Sequence, residues 1–224
     1  MLTADGRSAM PTRRYAKAEK IADGFIHVIG LALAGSGAGA LLVLSSRSAN
    51  WSTISMMGVY AVSLVVALAF SAAYNIWPVS RTKWMLRRCD QAAIFLLIGG
   101  TYTAFLTQAF DDRITSFAMA VIWSVAIFGM LLKLVLPGRF DRLSIAAYLA
   151  LGWSGLVFVP TAMRVMPGVA LCLVVLGGLL YSAGVIFHLW ERLRFQNAIW
   201  HAFVLVAAVC HYGAVIDCLL LAHS

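Results

Sequence analysis

Apolar residues run along this chain in seven long blocks, at about 21–44, 52–76, 91–110, 114–136, 143–163, 168–190 and 197–222. Each is close to the roughly 20 residues that a membrane-spanning helix needs. Short polar or Pro/Gly-containing breaks separate them, among them Trp77-Pro78, Asp111-Asp112-Arg113, Pro137-Gly138-Arg139 and the stretch 164–167. The pattern predicts an all-α polytopic membrane protein with seven transmembrane helices. It divides into a basic tail over residues 1–20 and a single membrane domain over 21–224. The tail does not read as a cleavable signal peptide, because it is polar and basic and the first apolar block is too long.

Composition sharpens this. The chain is 62% hydrophobic and 12% charged, against roughly 45–50% and about 25% in soluble domains. The net charge of +8 is spread over short connections, so it points to orientation rather than to nucleic acid. If the seven blocks all span, fourteen of the seventeen Lys and Arg fall on the side of the N-terminus. Only Arg47, Arg113 and Arg164 fall on the other. The split predicts a cytoplasmic N-terminus and an outward-facing C-terminus. The four cysteines form no CxxC pair, and no disulfide framework is expected. The lysines are Lys17, Lys20, Lys83 and Lys133, which excludes a Schiff-base lysine in the last span. Gly99-Gly100, Gly177 and Gly178 read as places where helices approach closely.

Polar side chains inside apolar blocks are the candidates for chemistry. Asn197 and His201 lie one helical turn apart, as do Ser71 and Asn75. Asp90 opens a stretch of some twenty residues without a charge. By the predicted topology these groups, from the second, third and last spans, share one depth near the cytoplasmic surface. Two readings stand side by side. The residues line a cytoplasm-facing polar pocket, or they only bond to neighbouring helices, with Asp90 an N-cap or a partner of Arg87 or Arg88. His27, one turn from Asp23, and His188, His211 and His223 read as structural histidines. Asp217 has Arg47, Arg113 and Arg164 as possible partners.

Four segments carry a family resemblance. They are 21–30 (IADGFIHVIG), 87–105 (RRCDQAAIFLLIGGTYTAF), 177–190 (GGLLYSAGVIFHLW) and 195–215 (FQNAIWHAFVLVAAVCHYGAV). Together they resemble the hemolysin III family of bacterial membrane proteins, over about residues 20–220. That family is related to the progestin and adipoQ receptors, and groups with the alkaline ceramidases as proposed metal-dependent membrane hydrolases. The resemblance implies a signature of Ser-x-x-x-His in the second span, Asp in the third and His-x-x-x-His in the last, with zinc on the three histidines. Here those elements read Ser71 to Asn75, Asp90, and Asn197 to His201, so two of the three histidines are asparagines.

The resemblance thus implies Asp90 and Ser71 as catalytic groups, and His201, Asn75 and Asn197 as the metal-site positions. Amide oxygen is a weaker zinc donor than imidazole and suits harder cations. Zinc is therefore expected to be held weakly or not at all, and the amides have the alternative of a hydrogen-bonded network among themselves. The activity implied is metal-dependent hydrolysis of a lipid amide or ester in the bacterial inner membrane, with membrane lipids as partners. The alternative is a non-catalytic protein of membrane homeostasis or sensing that keeps a degenerate polar site. A cytolysin, which the family name suggests, would need a water-soluble form that seven apolar spans do not offer.

Overall fold

The computed structural model describes residues 16–47, 50–109, 112–136 and 141–221. The charged tail residues Arg7, Arg13 and Arg14, the Pro137-Gly138-Arg139 break and His223 lie outside them. The described chain is all helical. Its helices are α1 (Lys17–Ser46), α2 (Trp51–Ile76), α3 (Arg81–Ala109), α4 (Asp112–Val135), α5 (Asp141–Trp153), α6 (Val159–Val165), α7 (Gly168–Leu189) and α8 (Gln196–Leu221). Seven spans result, long and apolar enough to cross a membrane, with α5 and α6 sharing the fifth.

The fifth span breaks for a local reason. Pro160 has no N–H and its ring crowds the preceding turn. The chain passes through a 3-10 turn at Ser154–Phe158 between α5 and α6. Backbone carbonyls freed in lipid must find partners. The Tyr102 hydroxyl of α3 lies 3.0 Å from the carbonyl oxygens of both Leu151 and Gly152, and 3.1 Å from Ser154 Oγ.

The third helix begins ten residues before the apolar block predicted for it, because its first turns are basic rather than irregular. Ser80 Oγ accepts the Lys83 N–H at 3.2 Å. Lys83 Nζ then donates to the carbonyls of Trp77 (2.8 Å) and Asn75 (3.4 Å), closing the end of α2. Arg88 stacks over the Trp84 ring at 3.3 Å and donates to the Leu134 carbonyl at 3.0 Å. Asp90 therefore lies more than two turns inside α3, and is not an N-cap.

Neighbours in sequence pack as neighbours in space: α1 on α2, α2 on α3, α3 on α4 and α7 on α8. The bundle closes where α8 returns to α1 and touches α3. Leu41, Met57, Tyr60, Leu64, Ala104, Val215 and Leu219 fill the core between these four helices. A second core joins α3, α4 and α5 through Phe95, Leu106, Ile122, Ala126 and Leu151. Gly100 lets α3 close on Tyr60 and Ser63 of α2. Phe25, Phe117, Phe128 and Ile186 lie on the outside, as suits an apolar solvent.

One end of the bundle collects the start of α3, the end of α4 and the start of α5. Lys133, fully buried, reaches Asp141 Oδ1 at 2.8 Å, and Arg87 reaches Asp141 Oδ2 at 2.9 Å. Arg87 is thus engaged by Asp141 and Arg88 by a carbonyl and an indole, and Arg87 also lies within electrostatic reach of Asp90.

Candidate functional site

The buried stripe of α1 includes Glu19, Asp23, His27, Gly30 and Ala34. Spacings of three and four residues put them on one face, and that face is covered by α2 and α8. Acidic and imidazole groups on an inward face of a lipid-embedded helix are costly unless each finds a partner. Each does.

Glu19 is tied at both oxygens. Oε2 accepts the Ala16 N–H at 2.8 Å, and Oε1 accepts the Phe195 N–H at 2.9 Å. Phe195 has φ 58°, the left-handed region, so Glu19 pins the turn that delivers α8. One turn along, Asp23 Oδ1 meets His201 Nδ1 of α8 at 2.6 Å. One further turn along, His27 Nδ1 bonds the Asp23 carbonyl oxygen at 2.8 Å and lies 3.8 Å from Asp23 Oδ1. The other ring nitrogen of His27, Nε2, is 3.3 Å from Ser71 Oγ on α2. The two imidazoles meet edge to face, with centroids 4.4 Å apart.

Asp90 approaches the same cluster from α3. Ser71 hydrogen-bonds to it, and His201, Arg87 and Asp23 lie within electrostatic reach. Four helices therefore bring Asp23, His27, Ser71, Asp90 and His201 to one depth. Asp23 and His27 are buried.

Asn75 and Asn197 sit beside this cluster and bond to each other. Asn197 Nδ2 donates to Asn75 Oδ1 at 2.9 Å, and Asn75 Nδ2 donates to the Ser71 carbonyl at 2.9 Å. The zinc site implied by the resemblance needs donors at positions 75, 197 and 201. In this chain two of those positions are spent on an amide pair, and the third, His201, is turned to Asp23. The pair does not fit zinc.

All five residues singled out from the sequence thus lie in one neighbourhood, but the centre of the donor set is elsewhere. Asp23, His27 and His201 offer ligand atoms that all fall within 4.8 Å of one another. His27 bonds to Asp23 as the one-turn spacing predicts, through the Asp23 carbonyl, but the sequence alone did not bring His201 to this pair. The signal was present in the Asp23/His27 spacing, but nothing local says that the first helix packs on the last.

The remaining polar groups are peripheral. His188 tilts over the Trp200 ring at 5.0 Å and its Nδ1 is buried with no hydrogen bond among the described residues. His211 lies deeper, with Nε2 3.2 Å from the Val174 carbonyl oxygen and its ring near Tyr181 and Phe105. Asp217 Oδ2 is buried with no hydrogen-bond partner among the described residues.

The sequence is similar to known proteins over most of its length. Hemolysin-3 of Bacillus cereus is 33% identical over 198 residues, covering 88% of this chain and 90% of that protein. The hemolysin-3 homolog of Bacillus subtilis (strain 168) is 31% identical over 199 residues, 88% of this chain and 93% of that one. The human monocyte to macrophage differentiation factor is 28% identical over 163 residues, 70% and 67% of the two chains. No solved structure matches significantly. The profile of haemolysin-III related proteins matches residues 15–212, and with a polar cluster set among seven spans the chain belongs to the haemolysin-III related family.

Proposed function

We propose that this chain is an integral membrane hydrolase of lipid amides or esters, working from the Asp23, His27, Ser71, Asp90 and His201 cluster. The convergence of these five groups from α1, α2, α3 and α8 carries the reading. Ionisable residues at this depth are expensive, and a purely structural bundle has no need to gather four of them with a hydroxyl.

The chemistry follows from contacts. An imidazole nitrogen 3.3 Å from the Ser71 oxygen is close to the reach a base needs to take a hydroxyl or water proton. The Asp23 carbonyl fixes the orientation of that ring through Nδ1. Asp90, hydrogen-bonded to Ser71, is a second acceptor for its hydroxyl. His201, held by Asp23, is placed to give a proton to the leaving group. In the bacterial inner membrane, with the N-terminus cytoplasmic, the cluster lies near the cytoplasmic leaflet and its substrates are membrane lipids. The 14-to-3 division of Lys and Arg supports that orientation.

A second reading has its own observation. The Asn75–Asn197 pair is a closed hydrogen bond where the family pattern has two ligands, as a non-catalytic protein of membrane homeostasis would tolerate. The cytolytic activity in the name of the Bacillus cereus relative is a third, tested by lysis of red cells with purified protein.

The deciding experiment presents a panel of lipid amides and esters to the purified full chain in nanodiscs, beside a folded His201→Ala variant. Cleavage by the natural chain, lost in the variant, is the expected result. An intact panel, with His201→Ala still restoring membrane fluidity in a deficient strain, selects the homeostasis reading.

A further inference from the structure

The amide pair closes the zinc positions implied by the family resemblance, yet the neighbouring residues make a different donor set. We infer that Asp23, His27 and His201 form a divalent transition-metal site on α1 and α8, built from two imidazoles and one carboxylate. The inference rests on the hydrolase reading of the same cluster and reassigns its roles: with an ion on the two imidazoles, Asp90, hydrogen-bonded to Ser71, is the group left to take a proton.

Three features support it. The first is donor chemistry: two histidines and a carboxylate are a three-ligand set that leaves a further position open on zinc, and the same set serves iron(II). The second is reach. The three ligand atoms lie within 4.8 Å of one another, and donors around a tetrahedral zinc at about 2.0–2.2 Å stand about 3.3 Å apart. His27 must turn one ring nitrogen from its present hydrogen bond, to the Asp23 carbonyl or to Ser71, toward the ion, and the Asp23–His201 contact, 2.6 Å, must open. There the ion takes the place of the hydrogen-bonding proton on Nδ1, which passes to Nε2 of the same ring. The third is support from outside the set. The His27 nitrogen that does not ligate keeps its own partner, the Asp23 carbonyl on Nδ1 or Ser71 on Nε2, the kind of secondary contact that fixes ligating histidines. Asp23 is buried among apolar helices, where a carboxylate without a positive partner is costly, and a bound cation supplies one.

The positions of the ligands also set this site apart from the histidine pattern of the family. It shares His201 with that pattern and draws its other two members from the first helix.

The test uses the detergent-purified full chain, stripped with chelator and titrated with zinc(II), and separately with cobalt(II) to read visible absorption. The expected result is one ion per chain, with affinity at least tenfold weaker in His27→Gln and in Asp23→Asn and unchanged in His211→Gln. A His27→Cys variant, which restores a ligand, recovers binding and shows a thiolate–cobalt absorption band. If the stripped natural chain, still helical by circular dichroism, takes up no ion, the site is refuted. It is equally refuted if binding survives in His27→Gln and is lost in Asn197→Ala. Metal uptake is read without substrate, so the two proposals separate. Uptake without lipid cleavage defeats the hydrolase reading and leaves the site. Cleavage by metal-free protein does the reverse.

Discussion

Asp23 and His201 stand 178 residues apart in the chain and meet at 2.6 Å inside the bundle. The contact couples the first helix to the last, and every group proposed to act is within one or two side chains of it. Because the pair is largely buried, its strength is measurable. In a double-mutant cycle of Asp23→Asn and His201→Gln, we expect a coupling energy of about 1 kcal/mol, the range found for hydrogen bonds between membrane helices. Equilibrium unfolding in mixed micelles checks it.

The ion triad of Lys133, Asp141 and Arg87 holds the ends of α3, α4 and α5 together. Its members are not equivalent. Lys133 is fully buried while Asp141 is about one third exposed. Asp141→Ala leaves an ammonium buried without its carboxylate, and we expect a loss of roughly 3 kcal/mol. Lys133→Met removes the buried charge itself and costs clearly less. Thermal unfolding of the two variants in one detergent ranks them.

Two glycines make opposite predictions. A Cβ on Gly100 runs into Ser63 and crowds the backbone of Tyr60, so Gly100→Ala forces α2 and α3 apart at about 1–3 kcal/mol. A Cβ on Gly35 meets nothing within 4 Å. Gly35→Ala stabilises α1 by about 0.5–1 kcal/mol through helix propensity. Melting temperatures of both variants, moving in opposite directions, are the check.

Glu19 holds Phe195 in its left-handed turn. Glu19→Ala removes that acceptor, so hydrogen exchange at the Phe195 amide accelerates at least tenfold while the middle of α8 remains protected. Uniform exchange along α8 in both proteins would remove the turn's role in placing His201.

The seven spans were legible because a lipid environment writes its requirement into length and hydropathy. So was the neighbourhood of Ser71, Asn75, Asp90, Asn197 and His201, through the family pattern and the alternating topology. The start of α3 was not. Its basic first turns resemble a loop in hydropathy, and only Ser80, Lys83 and Arg88 bonding to backbone reveal a helix. The part played by α1 was least visible. Asp23 and His27 are an ordinary one-turn pair until α8 supplies His201, and tertiary pairing of distant helices leaves no local trace. The outcome of the amides was one of two open readings. Asn75 and Asn197 read either as weak ligands or as amides bonded among themselves, and α2 and α8 coming side by side decides for their bond to each other.

The central claim is that the α1–α8 contact performs chemistry. The most direct measurement is the rate of lipid amide or ester cleavage by the natural chain, Asp23→Asn, His27→Gln and His211→Gln, at matched folding and lipid composition. The account predicts a fall of about 10²–10⁴-fold in the first two variants, the scale of lost acid–base assistance, and a rate within twofold of the natural chain for His211→Gln. Equal rates in all four proteins would contradict it.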